Sequence, residues 1–288
     1  MIEALQFEFI RNALIAGLLA SIICGIMGTF VVVNRIVFLS GGIAHAAYGG
    51  IGLAFYFGWP FLFGTIGFSL AAAMLMAVIT LQAKHRADSI IGVIWALGMA
   101  FGIILMDLTP GYNVDLMSYL FGSILSVPQS DLWIMVGLGL LITLLVALYY
   151  KDLLAMSYDE EFARIRGVPV RTLYFLLISM LAVTIVLVIQ VVGLILVIAL
   201  LTIPPLIMET YSKSLLQMMV GSSLLGAVFT ISGLWISYSY NLTSGASIIM
   251  VSGVVYFISL AIDRIRTIAK ARNQEETGME STISSHPL

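Results

Sequence analysis

The residue of this sequence best suited to hold a metal ion is a histidine within a long apolar run. The chain has three histidines, and only His45 lies in such a run, because His85 is in a basic segment and His286 is near the C-terminus. An ionisable side chain in apolar surroundings is a candidate functional group. Neutral imidazole binds zinc well and manganese less strongly. His45 is therefore a candidate metal ligand, and the alternative is a hydrogen-bonded packing residue.

Small residues surround His45 on two faces of a predicted helix. One face repeats small residues at a spacing of four, which permits close helix packing. Its members are Gly42, Ala46 and Gly50. The other face carries Gly41, Tyr48 and Gly49 beside His45. Glycines serve packing at least as often as they border a binding site. The second face can therefore be interpreted in two ways, as the border of a cavity or as a surface for helix packing.

A short polar segment between two apolar runs has the residue pattern of a helix with defined ends. Ser157 and Glu160 have the S-x-x-E spacing of a capping box, which satisfies free amides at a helix start. Gly167 and Pro169 follow, and both residue types end helices. The pattern predicts a helix from Tyr158 to Arg166, within a segment of about residues 157–167.

This predicted helix has one apolar face. Its members follow the spacing i, i+4, i+7 and are Tyr158, Phe162 and Ile165. Glu160 and Glu161 lie on another face, where they can pair with Arg164. A capped helix with such an apolar ridge suits insertion into a groove of a partner protein. The alternative is a helix that rests on lipid headgroups.

The composition shows which elements must position these groups. The 288-residue chain is 61% hydrophobic and 10% charged, with a mean hydropathy of +1.09. A soluble domain has about a quarter charged residues, so this chain has too few to cover a globular surface. At about 20 residues per span, its length allows about eight to ten transmembrane helices. We predict an all-α, polytopic membrane helix bundle without a soluble catalytic domain.

The apolar runs predict nine transmembrane spans. Seven runs cover about residues 10–33, 38–57, 61–82, 89–107, 131–150, 215–238 and 246–262. The run from Thr172 to Ile207 is too long for one crossing, and we predict two spans that break near Gln190–Gly193. The transmembrane domain therefore comprises residues 1–263, and the polar tail of residues 264–288 is predicted to be disordered.

Basic residues predict the orientation of the chain. With nine spans and the N-terminus outside, all 13 Lys and Arg residues except Arg11 fall on the inner side. Cytoplasmic segments of membrane proteins carry an excess of Lys and Arg. We therefore predict a multi-pass protein of the plasma membrane with a cytoplasmic C-terminus.

Acidic residues gather on the predicted outer side. Asp107 and Asp115 lie at or beyond helix ends there, where they form an acidic mouth that would attract divalent cations. Asp131 has a similar position. The second role for these residues, and the one that their positions favour, is to cap a helix or to complement its first turn.

The sequence lacks the motifs of several enzyme classes. It has no G-x-x-x-x-G-K-[ST] loop for a nucleotide, no H-E-x-x-H zinc helix and no G-x-S-x-G nucleophile elbow. The single cysteine, Cys24, excludes an internal disulfide and a multi-cysteine metal site. The chain is therefore predicted not to be an enzyme, and any energy it uses would come from another subunit.

Several stretches together resemble the permease subunits of ABC importers for zinc, manganese and iron ions. The segment 157–167 resembles their coupling helix, which docks on the ATPase. Five further stretches match in the same order along the chain: GTFVVVNRIVFLSGGIAHAAYGGIGLAFYFG, ADSIIGVIWALGMAFGIIL, DLMSYLFGSIL, VVGLILVIALLTIPPLIM and SGLWISYSYNLTSGASIIM. The resemblance covers residues 25–262.

The resemblance implies a half-transporter of the prokaryotic inner membrane. Such a subunit pairs with a second permease copy, expected here to be identical, and binds ABC ATPase subunits that carry the ATP. It receives a divalent metal ion from an extracytoplasmic metal-binding protein and binds no cofactor and no nucleic acid. Its pathway would include His45 with Gly41, Tyr48 and Gly49.

Two positions depart from the pattern of this family. The family's aspartate, four residues before the span-two histidine, falls on Gly41, and a proline near the last hairpin falls on Thr243. His45 therefore lacks the carboxylate partner that would share its helix face.

Two other classes of membrane protein are alternatives to an ABC importer. An ion-driven secondary transporter would need carboxylates in the middle of its spans. A membrane scaffold would transport nothing.

Overall fold

The computed structural model describes residues 6–83, 85–110, 122, 124 and 127–284, with side chains as far as residue 266. This described part of the chain is built from helices and contains no strand. Its eleven helices are α1 Glu8–Val33, α2 Val37–Phe57, α3 Phe61–Gln82, α4 Ala87–Asp107, α5 Gln129–Leu148, α6 Tyr150–Tyr158, α7 Glu160–Ile165, α8 Val170–Val192, α9 Leu194–Tyr211, α10 Leu215–Tyr240 and α11 Ser244–Ser284.

Nine of these helices are long and apolar enough to cross a membrane. They are α1 to α5, α8 to α10 and the first part of α11, Ser244–Arg266. Each is 18 to 26 residues long, which at a rise of about 1.5 Å per residue covers the hydrocarbon core. The predicted all-α bundle is confirmed. Helices α6 and α7 lie outside the spans, and we call their end of the bundle the α7 side.

One glycine divides the long apolar run into two spans. Helix α8 ends and α9 begins at Gly193, which has φ 85° and ψ 165°. Only glycine adopts this backbone region readily, so the chain can turn there without side-chain strain. The break predicted near Gln190–Gly193 is confirmed. The side chain of Gln190 donates to Oδ2 of Asp131 at 2.8 Å, and this bond ties the break to the start of α5.

The centre of the bundle consists of α1, α2 and α8. In each of these three helices 72% of the residues in the apolar 18-residue segment are buried, whereas the share is 22% in α4 and in the span of α11. Helix α2, which carries His45, packs mainly against α4 and α3. The candidate metal ligand therefore lies on one of the most enclosed elements of the fold.

The small-residue face of α2 provides its close contacts. A Cβ added to Gly42 would lie 2.5 Å from Cγ2 of Ile91, and one added to Gly50 would lie 2.7 Å from a backbone atom of α3. A Cβ added to Gly98 of α4 would lie 2.9 Å from Cα of Ala46. Larger side chains at these three positions would push the helices apart, so the predicted packing face is confirmed.

The C-terminal helix differs from the sequence-based prediction. Helix α11 continues past its membrane span to Ser284, whereas the polar tail from residue 264 was expected to be disordered. The tail contains Ala, Glu, Lys, Arg and Gln residues, which favour a helix once a preceding span has nucleated it.

Candidate functional site

His45 is held by two side chains of α4. Its Nδ1 atom lies 3.1 Å from Sδ of Met99. The indole ring of Trp95 stacks on the imidazole, with ring centroids 4.0 Å apart and an angle of 16° between the planes. Nε1 of Trp95 donates a hydrogen bond to the same sulfur at 3.2 Å. The imidazole is therefore fixed at one edge by a thioether and on one face by an aromatic ring.

Open space lies beside His45 at the position of Gly41. Gly41 is buried, yet a Cβ added there would have no heavy atom within 4 Å. Side chains of a helix lean towards its N-terminus, so the residue at i+4 covers the turn that contains residue i. His45 and Gly41 therefore share one face of α2, one turn apart, although no atom of the His45 side chain comes within 4 Å of a Cβ at Gly41.

The other two predicted pathway residues lie in packed surroundings. Tyr48 is 2% exposed, and its hydroxyl has no hydrogen-bond partner among the described residues. Gly49 packs directly against the ring of Phe68 in α3. The space near His45 is thus on its Gly41 side rather than towards Gly49.

The described residues offer no ready-made metal cage. No group of three or more His, Cys, Asp or Glu side chains is close enough to hold a metal ion within this part of the chain. His45 therefore remains a candidate ligand with a single ring nitrogen to offer, and a thioether sulfur lies next to it. Sequence reasoning missed Trp95 and Met99, although their spacing of four already places them on one face of α4.

Of the two aspartates predicted to form an acidic mouth, the structure describes only one. Asp107 is exposed at the last residue of α4, at the end of the bundle opposite the α7 side. Asp115 lies outside the described residues. Asp131 is in the first turn of α5, where its two oxygens accept from Gln190 and from Ser130. Asp131 therefore has the first-turn position that was predicted as its alternative role.

The helix on the polar segment begins later than predicted. Its N-cap is Asp159, whose Oδ1 accepts from the backbone amide of Phe162 at 2.9 Å. The predicted capping box of Ser157 and Glu160 is therefore wrong. The hydroxyl of Ser157 accepts instead from Nδ2 of Asn34 at 3.0 Å. Ser157 and Tyr158 belong to the preceding helix, α6.

The end of this helix agrees with the prediction. Gly167 has φ 81°, and its amide donates to the carbonyl of Arg164, while Val168 donates to the carbonyl of Ala163. These two bonds form a Schellman motif, which requires the left-handed conformation that glycine favours. The predicted pairing of Glu160 with Arg164 is also present, as a salt bridge one turn apart.

The apolar ridge predicted for this segment is exposed. Tyr158 is 65% exposed, Phe162 50% and Ile165 85%. Arg166 places its guanidinium 5.5 Å from the centre of the Phe162 ring. Glu161 is exposed beside them. Tyr158 ends α6 whereas Phe162 and Ile165 lie on α7, so the predicted single-helix face is divided between two short helices. Exposed apolar side chains of this kind, outside the spans, are typical of a protein interaction site.

Helix α7 lies next to the inner bundle across a partly polar cavity of about 530 Å³. Glu160 and Arg164 of α7 line it from one side, and Asn34, Asp88 and Tyr174 line it from the spans. The hydrogen bond from Asn34 to Ser157 closes the same region. The polar face of α7, with Glu160 and Arg164, therefore borders the ends of α1, α4 and α8.

Known proteins resemble this chain over nearly its whole length. The family model for the ABC 3 transport family matches residues 6–263. An uncharacterized membrane protein of Synechocystis is 53% identical, over 92% of this chain and 94% of its own length. The manganese import system permease protein ScaB of Streptococcus gordonii is 34% identical, over 89% of this chain and 92% of its own length. In the solved structure of PsaBC from Streptococcus pneumoniae in complex with Fab, one chain has a TM-score of 0.82 at 36% identity, and the match covers 90% of this chain and 93% of that one.

Proposed function

Because the chain belongs to the ABC 3 transport family, we propose that it is the permease subunit of an importer that moves a divalent metal ion into the cytoplasm. A separate ATPase supplies the energy. The observation that carries the proposal is the exposed ridge of Tyr158, Phe162 and Ile165 on the α7 side. A membrane scaffold would not need a capped helix with this surface outside its spans.

The cargo is proposed from the relatives and from His45. ScaB, which is 34% identical, is named as a manganese permease. His45 is the one histidine of a described span, and its imidazole is suited to a divalent transition-metal ion. We place the route of the metal ion along Gly41 and His45, and further along α2 it passes Tyr48 and Gly49. A single ligand binds weakly, which suits a pathway that must release its ion. Asp107 and Asp115 attract the cation at the entrance.

The partners follow from the surfaces of the chain. The ATPase covers the ridge, and polar residues of the same segment, Glu160 and Glu161, contact it at the rim. Gly167 ends the docking helix sharply, so that the chain can return to the bilayer at α8. A second copy of the permease completes the membrane pathway, and an extracytoplasmic binding protein delivers the metal at the opposite end. The excess of Lys and Arg places the α7 side and the C-terminus in the cytoplasm.

An ion-driven secondary transporter is the less favoured class. It would need carboxylates at membrane depth to bind the driving ion. In the described spans every Asp and Glu lies near a helix end, such as Asp88 and Asp107 of α4 or Glu209 of α9. The spans that the structure describes therefore offer no mid-span acidic residue with which to carry a proton or sodium ion.

The test is transport by the assembled complex in vesicles. The chain is purified with its ATPase partner, reconstituted, and supplied with the binding protein loaded with zinc, manganese or iron. We expect ATP hydrolysis to rise with the loaded binding protein and the metal to accumulate on the side of the membrane that carries the ATPase, opposite the binding protein. Hydrolysis that none of the three metals stimulates, together with no uptake, would refute the proposal.

A further inference from the structure

The sulfur of Met99 lies between two nitrogen atoms. Nε1 of Trp95 donates to it at 3.2 Å, and Nδ1 of His45 lies 3.1 Å from it. A thioether sulfur carries no proton and can only accept a hydrogen bond. The contact with His45 is therefore attractive only if Nδ1 carries the proton. Without that proton, the lone pairs of nitrogen and sulfur would face each other.

The contact with Met99 therefore fixes where the imidazole keeps its free lone pair. A charged imidazolium is costly within a membrane span, so His45 is neutral and has one ring proton. With the proton on Nδ1, the lone pair is on Nε2. Nε2 has no hydrogen bond to any residue of the described ranges. It is the ring nitrogen further from the backbone and is free to bind a cation.

The surroundings of the ring favour one class of cation. Imidazole suits zinc, whereas manganese prefers carboxylate, carbonyl and water oxygens. The position that shares the helix face with His45 is Gly41, which supplies no carboxylate. The stacked indole of Trp95, with ring centroids 4.0 Å apart, restrains the imidazole on the helix face that it shares with Gly41.

We propose that Met99 is a positioning residue for the metal, because its sulfur holds the Nδ1 proton of His45 and so presents Nε2 to zinc in preference to manganese. This inference rests on the proposed function and specifies the cargo of the same pathway. In known metal sites the second ring nitrogen of a ligating histidine is held by a hydrogen-bond acceptor, and loss of that acceptor weakens metal binding about tenfold or more. Here the acceptor is a thioether.

The first measurement is the position of the proton on His45. The full-length chain with His85→Gln and His286→Gln, labelled with ¹⁵N-histidine, has one labelled imidazole, and its nitrogen resonances distinguish the two tautomers. We expect Nδ1–H in the metal-free protein. Met99→Leu keeps the side-chain volume but removes the acceptor, and we expect the proton to move to Nε2. Met99→Gln, whose amide oxygen accepts, should restore Nδ1–H. Trp95→Phe keeps an aromatic ring and should leave Nδ1–H in place.

The second measurement is metal uptake by the same variants in the complex with the ATPase. For Met99→Leu we expect the apparent KM for zinc to rise about tenfold, with unchanged ATPase association and maximal rate. Met99→Gln should recover the KM for zinc. Manganese uptake should be slower than zinc uptake in the unmodified chain and should change little with Met99→Leu.

The outcomes separate this inference from the proposed function. A proton on Nε2 in the unmodified chain, or a Met99→Leu variant with the same resonances and the same KM for zinc, would overturn the role of Met99. A complex that prefers manganese would overturn the assignment of the cargo. If no metal is transported at all, the proposed function fails and the role of Met99 in transport fails with it, although the resonances would still establish the tautomer.

Discussion

Nδ2 of Asn34 donates a hydrogen bond to the hydroxyl of Ser157 across 123 residues of sequence, with the two atoms 3.0 Å apart. Asn34 caps the end of α1, and its amide also donates to the carbonyl of Phe30. Ser157 lies near the end of α6, shortly before α7. The bond therefore joins a central span to the segment that we propose receives the movement of the ATPase.

Ser157→Ala should separate docking from transport. The change removes the acceptor for Asn34 and costs about 1 kcal/mol, but it leaves the exposed ridge intact. We expect the ATPase to remain bound while metal uptake per ATP hydrolysed falls severalfold, as measured in reconstituted vesicles. Ser130→Ala, at the opposite end of the bundle, is the control and should behave as the unmodified chain. If the complex with Ser157→Ala takes up as much metal per ATP as the unmodified complex, the hydrogen bond between Asn34 and Ser157 does not couple ATP hydrolysis to transport.

Phe162→Asp should weaken the association with the ATPase. A carboxylate in place of the half-exposed ring would lose its water in an apolar groove. We expect a loss of about 2 kcal/mol or more, roughly a thirtyfold fall in affinity, measured by co-purification and by titration of the ATPase. Leu242→Asp is a matched control, because Leu242 is 55% exposed against 50% for Phe162 and lies at the opposite end of the bundle. If the two variants bind the ATPase equally well, α7 is not part of the interface with the ATPase.

Gly41→Asp should be tolerated and should alter the choice of metal. No heavy atom lies within 4 Å of the new Cβ, and the carboxylate would share a helix face with His45. We expect normal expression and a shift of uptake towards manganese, since an oxygen ligand suits that ion. Competition between zinc and manganese in the vesicle assay measures the shift.

The neighbouring substitution Gly42→Asp provides the control for this experiment. A Cβ at Gly42 would lie 2.5 Å from Ile91, and overpacking of this kind costs about 1–3 kcal/mol. We expect reduced expression and a lower thermal midpoint. If Gly41→Asp is well expressed and keeps the selectivity of the unmodified chain, the space beside His45 is not on the route of the metal.

Cysteines at the two ends of α10 should report the orientation. We expect a membrane-impermeant thiol reagent to label Tyr240→Cys from outside intact cells and Lys213→Cys only after the cells are opened. Both positions are exposed, and the native Cys24 is buried, so it should not compete for the reagent. The reverse labelling pattern would contradict the orientation derived from the basic residues.

Gly193→Ala should destabilise the bundle. The backbone at Gly193, with φ 85° and ψ 165°, lies in a region that costs a residue with a side chain about 1–3 kcal/mol. We expect a lower thermal midpoint in detergent and reduced yield. Gly137→Ala is the control, because that glycine is exposed within α5 and has open space around its Cβ. An unchanged midpoint for Gly193→Ala would mean that the break between α8 and α9 tolerates a side chain.

The spans were predictable because their signal is local. An apolar run long enough to cross the bilayer has few alternatives, and the break at Gly193 follows from a run too long for one crossing. The packing face of Gly42, Ala46 and Gly50 could be read from spacing alone. The resemblance to metal ABC importers, made from ordered motifs, is confirmed by the family match.

The contacts of the candidate site could not be predicted in the same way. His45 and Met99 are 54 residues apart, and their contact depends on the register between α2 and α4, which no local pattern specifies. The cap of α7 was assigned to the wrong residue for a related reason. Ser157 and Asp159 are both good N-cap residues, and the choice between them depends on Asn34, which occupies the hydroxyl of Ser157.

The uncovered ridge also bears on how the chain is produced. Tyr158, Phe162 and Ile165 remain in contact with water in a copy that has no ATPase bound, and Ile165 alone is 85% exposed. Surfaces of this kind favour self-association and attract proteases and chaperones. A cell that synthesises the two polypeptides in unequal amounts would lose the surplus of this one to quality control. We therefore expect co-expression with the proposed ATPase partner to raise the yield of intact chain in recombinant expression.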